Sequence, residues 1–372
     1  MEQNSYYFLF ANCIPVRGYT RAIICDLTRK TIDFIPIQLF NILIESKKNK
    51  IKDIVQRYKG DEKEIMSEYF DFLLENEYIY LCDKDTLKKF PPLSKSWQSP
   101  NHISSLIIEY SENFCIPEII RNIEEYGKLE IQIRFFTKTP INTILKLLSE
   151  LSNRRICSLE LIIPFSNEIQ DKTLEKICLD YQFISKFIFY NTPKENIKDH
   201  STPSIIYTHQ NILSESHCGF ISPHYFNISI DSFTESLYYN NCLNQKLCIN
   251  KDGEIKNCLN MDRSYGSIHK ANLEKIIFSK EFNLYNKIKK DSIDVCKECE
   301  FRYICSDCRT FIKYPENIYS QPAKCTYNPY IAKWEDEEGY VSVEECGTYS
   351  KNKGFVVDVK KVEALNLELW GG

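Results

Sequence analysis

Cys296-Lys297-Glu298-Cys299-Glu300-Phe301-Arg302-Tyr303-Ile304-Cys305-Ser306-Asp307-Cys308 is the stretch on which the reading of this chain turns. It sets four cysteines in Cys-x2-Cys-x5-Cys-x2-Cys spacing. Upstream, Cys242 and Cys258 bracket the turn Lys251-Asp252-Gly253, and Cys325 lies downstream. A Cys-x2-Cys turn aims two sulfurs at one centre, and a distant cysteine closes the shell. Iron–sulfur clusters and structural zinc both accept four thiolates, so thiolate content alone leaves the choice open. These seven cysteines are one short of two complete sites. Cys218, in His217-Cys218-Gly219, is the candidate for the eighth, and Cys248, in Leu247-Cys248-Ile249, is the runner-up. Cys248 otherwise reads as a small core hydrophobe. His217 reads as a ligand or a supporting donor, or as structural. Arg302 and Arg309 flank the ligands and would offset thiolate charge, or lie on the surface. Cys13, Cys25, Cys82, Cys115, Cys157 and Cys178 are isolated in sequence and are expected to be buried packing.

The totals set the class. A chain of 372 residues suggests two or three domains, and 43% apolar content is enough for real cores. A net charge of −4 with both signs interspersed gives no footprint for nucleic acid or an anionic membrane. The start, Met1-Glu2-Gln3-Asn4, has no basic cluster, and the apolar run at residues 6–10 is too short for a signal peptide. No stretch approaches the ~20 apolar residues of a membrane span. A cytoplasmic location is expected, where the sixteen cysteines stay reduced and metal ligation outranks disulfides.

The pattern is α/β in four segments. Residues 1–90 hold strand-like runs at 6–10, 22–27 and 31–36, helical runs at 37–46, 51–58 and 62–77, and a closing strand at 78–82. This order is winged-helix-like. On the third helix Ile65, Tyr69, Phe72 and Leu73 form the expected apolar face. Its other residues are mostly acidic, and an acidic recognition helix cannot neutralise phosphates. Residues 88–102 read as a stiff, exposed linker with Pro91, Pro92, Trp97 and Pro100. Strands and helices alternate over 103–215, which argues for βαβ units in an open, partial barrel of four or five strands. Residues 216–330 read as irregular and cysteine-rich, and 331–372 as a C-terminal extension. No Walker-type phosphate loop is visible.

Two resemblances refine this picture. The first segment, through Ile37-Gln38-Leu39-Phe40, Ile51-x2-Ile54-Val55 and Phe72-x2-Glu75-Asn76-Glu77-Tyr78-Ile79, resembles the PqqD-like peptide-recognition domains. That resemblance implies a leader peptide added as an extra strand along Thr31, Ile32, Asp33, Phe34 and Ile35, with Tyr69 on the helix forming the other wall. Replacing Asp33 by proline is then expected to weaken peptide binding. The order Cys-x10-Gly-x4-Cys, Cys-x2-Cys-x5-Cys-x2-Cys, Cys resembles the SPASM domain over Cys242 to Cys325. The family has three residues between its fifth and sixth cysteines, whereas Cys305 and Cys308 are separated by two, which loosens the assignment of Cys308. The resemblance implies two auxiliary [4Fe–4S] clusters, one on Cys296, Cys299, Cys305 and Cys325. The other falls on Cys242, Cys258 and Cys308, with Cys218 proposed as its fourth ligand.

One expected element is missing. Radical enzymes that cleave S-adenosylmethionine carry Cys-x3-Cys-x2-Cys after the first barrel strand, and here the corresponding stretch holds only Cys115. The middle segment therefore resembles a radical-enzyme barrel without its reactive centre, and no catalytic residue is assigned. Over most of its length, including Phe8-x-Phe10-Ala11-Asn12-Cys13-Ile14-Pro15 and Cys325-x-Tyr327-Asn328-Pro329-Tyr330, the chain resembles the SPASM-domain peptide maturases of grasp-with-spasm systems. The resemblance implies an accessory role on a ribosomally made precursor peptide, alongside an ATP-grasp ligase and without S-adenosylmethionine cleavage. The alternatives are a cluster-dependent redox or radical peptide-modifying enzyme and a zinc-stabilised peptide-binding scaffold.

Overall fold

The computed structural model describes residues 5–45, 49–167, 169, 171–199, 203–212 and 214–371. The chain forms two compact units that are discontinuous in sequence. The first takes in the chain up to Trp97, then Ile221–Asn241, then everything from Ile288 onward; the second is Gln98–Phe220 with Cys242–Lys287. The cysteine-rich segment, read as one domain, is divided: residues 221–241 and 288–330 join the N-terminal segment in the first unit, and 242–287 fall in the second.

The N-terminal part begins with β1 (Tyr6–Leu9), β2 (Cys13–Arg17), β3 (Ala22–Asp26) and β4 (Thr31–Ile35). The helices α1 (Ile37–Glu45), α2 (Ile51–Val55) and α3 (Asp61–Glu75) follow, then β5 (Ile79–Cys82) and the single turn α4 (Lys84–Leu87). β2, β3 and β4 form an antiparallel sheet in that order, and β1 pairs with β5. β2 was not anticipated; Pro15 masked it, and proline is tolerated there because β2 is an outer strand. Every residue of β3 is buried, as a central strand between two layers requires. The face of α3 also differs from expectation. Met66, Phe70 and Leu73 are the buried residues, Ile65 is exposed, and Tyr69 and Phe72 are half-buried against the core.

In the second unit, β6 (Ser105–Glu109), β7 (Leu129–Arg134), β8 (Ile156–Pro164), β9 (Ile184–Tyr190) and β11 (Ser204–Tyr207) run parallel in that order. The helices α5 (Ile116–Ile123), α6 (Ile141–Leu151) and α7 (Asp171–Asp180) connect the first four. β10 (Asn196–Asp199) caps the far edge, antiparallel to β11. Alternation along β7 buries Leu129, Ile131 and Ile133 in the helix-covered core and leaves Glu130, Gln132 and Arg134 on the other, polar face.

After α8 (Ile230–Ser236) of the first unit, the chain adds β12 (Lys246–Ile249), parallel to β6, and β13 (Ile255–Lys256) as its hairpin partner. The sheet therefore has eight described strands rather than four or five. The cysteine-rich segment, read as irregular, supplies two of them. Leu247, Cys248 and Ile249 are fully buried, so this short apolar run is a core strand. The hairpin turn is closed by Gly253 at φ 77°, with the Asn250 side chain accepting from Asp252 N at 3.1 Å and Glu254 N at 2.8 Å. The C-terminal stretch is structured as well. Past the short α9 (Leu273–Ile277), the hairpins β14 (Tyr327–Asn328) with β15 (Lys333–Trp334) and β16 (Gly347–Ser350) with β17 (Gly354–Val357) precede α10 (Val359–Trp370). They close a small core around Tyr330, Ile331, Cys346 and Val362. Among the described residues, no helix is long and apolar enough to cross a membrane.

Candidate functional site

Two features of the first unit carry the functional argument. One is the set of thiols at Cys296, Cys299, Cys305 and Cys325, which line a single hollow of about 30 Å³ together with Phe226, Phe301 and Trp334. These four cysteines are unbridged. A short 3-10 turn at Cys296–Glu298 presents the first two. The turn is entered through Val295, at φ 66° and ψ −49°, with Cys296 N donating to Asp294 O at 2.7 Å. That is a γ-turn of the rare, strained hand, and a β-branched residue there costs about 1–3 kcal/mol. The surrounding packing holds it: Val295 is buried beside Tyr330 and Phe355.

The electrostatics of the hollow are set by Lys290. This lysine is only 5% exposed, and its Nζ donates to Cys305 Sγ at 3.1 Å. Burial by itself would lower the ammonium, but Asp307 and the charge that Cys305 and Cys296 carry as thiolates reverse that and raise it above its ordinary value. Burial pushes the Cys296 thiol up to about 12 and the Cys325 thiol up to about 11, and raises Cys299 well above the usual thiol range. Without a metal these are neutral thiols at physiological pH, so loading must release protons. Among the described residues, no three Cys, His, Asp or Glu side chains are drawn into a coordination shell as they stand. The donor set nevertheless fits a metal that takes four thiolates, and the buried ammonium against Cys305 supports that fit. A lysine is costly to bury without anionic partners.

The flanking arginines do other work. Arg309 is buried and pairs with Asp307: Nη2 donates to Oδ1 at 2.6 Å, and Nε lies 2.5 Å from Oδ2 as an ion-pair contact. It also donates to Ser320 O at 2.8 Å, tying the loop after Cys308 to the following strand of chain. Arg302 donates to the Cys299 carbonyl at 2.9 Å and to Arg17 O. Arg309 is buried and Arg302 half-buried, and the direct cation to sulfur is Lys290, which sequence reasoning missed. Nothing in Lys289-Lys290-Asp291 marks one lysine of the pair as buried.

The remaining expected ligands are distributed between the units. Cys308, in the first, accepts from Phe311 N at 3.4 Å. Cys218, Cys242 and Cys258 belong to the second. There Lys246 Nζ donates to Cys242 Sγ at 3.5 Å, and Cys242, Cys248 and Cys258 together raise the lysine against its burial. Arg134 Nη1 lies 4.0 Å from Cys218 Sγ. Cys248 is fully buried and donates to Asn257 O at 3.4 Å, as a packed core residue. His217 is exposed. Of the six isolated cysteines, Cys13, Cys25 and Cys82 are buried as expected, but Cys178 is half-buried and Cys115 and Cys157 are exposed. Cys115 sits outside the core because it is the N-cap of α5, and Cys157 faces outward on β8. Cys346, which had no expected role, is buried and accepts from Asn328 Nδ2 at 3.3 Å.

The second feature is the outer edge of β4. Gly18 N bonds Arg21 O and Leu27 N bonds Asn12 O, so the β2–β3 ladder uses Ile23 and Cys25 of β3. β3 therefore pairs to β4 through Ala22, Ile24 and Asp26, opposite Ile35, Asp33 and Thr31. By alternation, Ile32 and Phe34 turn their N–H and C=O groups outward, away from β3. The Asp33 N–H points inward to the sheet, and its carboxylate accepts from Tyr78 Oη. Proline at position 33 would thus break the sheet itself rather than the outer edge, which corrects the substitution expected from sequence.

The edge and the thiol loop are joined within this unit. The Phe34 ring meets the Phe301 ring edge-on, with centroids 6.0 Å apart. The Arg21 guanidinium lies 3.7 Å over the Phe34 ring and bonds Glu300 at 2.7 Å. Tyr327 Oη donates to the same Glu300 oxygen at 2.5 Å. Gly18 is needed here, because a Cβ at this position would fall 2.7 Å from Glu300 Oε2.

No family model matches the chain, and no curated protein matches it. Among solved structures, the chain is distantly similar to SuiB of Streptococcus suis. The crystal structure of SuiB bound to S-adenosylmethionine has 11% identity and a TM-score of 0.35, covering 85% of this chain and 98% of that one. The crystal structure of SuiB bound to its precursor peptide SuiA has 11% identity and a TM-score of 0.30, covering 82% and 96%.

Proposed function

We propose that this chain is an accessory maturase of a ribosomally made peptide: it takes the precursor's leader as an added strand on β4 and holds a metal centre on Cys296, Cys299, Cys305 and Cys325. The observation that carries this reading is the joint between the two features. The outward edge at Ile32 and Phe34 rests, through Arg21 and Phe301, on the loop that presents the thiols. A bound peptide would lengthen a sheet that is already fastened to the metal-bearing segment. Main-chain hydrogen bonds to Ile32 and Phe34 supply affinity, and the side-chain contacts supply selectivity.

The metal proposed is a [4Fe–4S] cluster, following the SPASM-like cysteine order, with zinc as the alternative for the same ligands. With four thiolates the shell is closed, so the centre is structural and the residues around it orient and brace. Lys290 neutralises part of its charge, and the apolar rings of Phe226, Phe301 and Trp334 keep water away. The ATP-grasp ligase implied by the sequence resemblance is the proposed partner. Titrating a labelled leader peptide against the anaerobically purified chain tests the reading. Saturable binding that is lost on blocking the β4 edge supports it, and binding indifferent to that edge removes it.

A further inference from the structure

A separate cleft of about 700 Å³ opens on the N-terminal part, between β1 and β2 on one side and α4 with the following 88–95 stretch on the other. Its volume falls within the ~300–1,000 Å³ typical of ligand pockets. Three large apolar side chains that line it, Phe10, Ile44 and Phe90, are more than a third exposed, an unusual outlay for one small region. Phe8 packs at a tilt against Phe90 with centroids 4.7 Å apart and forms part of the wall. Among the described residues, the charged ones lining the cleft are Lys84, Lys88 and Lys95, and no carboxylate lines it. Lys88 is paired with Asp85 at 3.0 Å, whereas Lys84 and Lys95 have no carboxylate partner among the described residues.

The β2 edge beside the cleft offers acceptors. In β2 the alternation that pairs Ile14 and Val16 with β3 turns Cys13 and Pro15 outward. Pro15 has no N–H, and the Cys13 N–H is already given to Phe10 O at 2.9 Å. Their outward carbonyls remain. A ligand that suits this surface brings apolar side chains, N–H donors and negative charge. A peptide has all three, whereas a fatty acid lacks the donors.

We propose that this cleft is a second binding groove, whose occupant is a peptide segment that seats aliphatic or aromatic side chains between Phe8, Phe10 and Phe90 and brings carboxylates to Lys84 and Lys95. Charge complementarity gives the sign and the apolar lining gives the anchors. The groove does not rest on the β4 reading, since Phe34 is not among its walls and the two sites can fail separately.

The test is a random twelve-residue peptide library displayed on phage and selected against the full chain. Peptides that combine Leu, Ile or Phe with Asp or Glu should be enriched. Their binding should weaken by about tenfold or more, equivalent to roughly 1.4 kcal/mol, in the exposed-residue double variant Lys84→Glu/Lys95→Glu. Ala11→Trp, which fills the cleft without changing charge, should abolish it, while Phe34→Pro should leave it intact. Enrichment of basic or uncharged peptides, or binding unaffected by both groove variants, would overturn the proposal. So would an absence of enriched peptides combined with dodecanoate binding that Ala11→Trp removes.

Discussion

Arg21 Nε bonds Glu300 Oε1 at 2.7 Å, across 279 residues of sequence. Glu300 is 1% exposed and lies between Cys299 and the Phe301 ring, while Arg21 opens the strand pair that ends in β4. The pair turns two distant segments into one structural element. It also explains why a carboxylate is tolerated at the wall of an apolar thiol loop: it is matched by Arg21 and by the Tyr327 hydroxyl.

Removing the cation should expose that dependence. Arg21→Met leaves the Glu300 carboxylate buried with Tyr327 as its main partner, and breaking such a pair costs about 3–5 kcal/mol when fully buried. Arg21 is about one quarter exposed, so the lower end, about 2–3 kcal/mol, is expected. Urea unfolding of Arg21→Met and of Arg21→Met/Glu300→Gln checks it. The double variant should recover part of the loss, and equal losses in both would show the pair to be inert.

The two neighbouring residues of β4 should respond oppositely to proline. Asp33 directs its N–H to Ile24, so Asp33→Pro should unfold the N-terminal sheet and lose the Tyr78 contact as well. Phe34 directs its N–H outward, so Phe34→Pro should keep the fold by circular dichroism yet weaken leader-peptide binding about tenfold or more. A folded Asp33→Pro would show that the register is wrong.

Position 295 tests the strained turn. Both Val295→Ala and Val295→Gly remove buried side-chain packing, but only glycine is at ease at φ 66°. The glycine variant should therefore be the more stable of the two by about 1 kcal/mol in urea unfolding. Alanine proving the more stable would remove the γ-turn from the account.

Much of this was legible from the residue pattern, and the failures have physical causes. The Cys-x2-Cys turn, the β4 edge and the alternating strands and helices of the second unit follow from spacing and periodicity. β12 did not, because a run of three buried residues beside a glycine turn carries no period. The face of α3 was misread because Ile65 and Met66 are both apolar, and only packing chooses between them. Lys290 and Lys246 were invisible, since a lysine's burial depends on sulfurs brought to it by the fold. The choice of Asp33 for proline placement failed on the phase of the pleat, which depends on bonds outside the strand.

Lys290 separates a metal-bearing hollow from a merely packed one. In loaded protein, Lys290→Met strips the cation from the thiolates and should cost about 3 kcal/mol or more. In metal-stripped protein the Cys296 and Cys325 thiols are neutral, and the loss should be much smaller. Equal losses in both states, read by urea unfolding before and after chelation, would mean that the lysine does not answer to a metal centre.

The central claim is that four thiols of the first unit share one metal centre. Iron, acid-labile sulfide and zinc per chain, measured on anaerobically purified wild-type protein and on Cys296→Ser/Cys299→Ser, test it most directly. The account predicts bound metal in the wild type, loss of one centre's worth in the variant, and a fall in thermal stability when chelator strips the wild type. A folded, metal-free wild type whose stability is untouched by chelator or by metal reconstitution would contradict it.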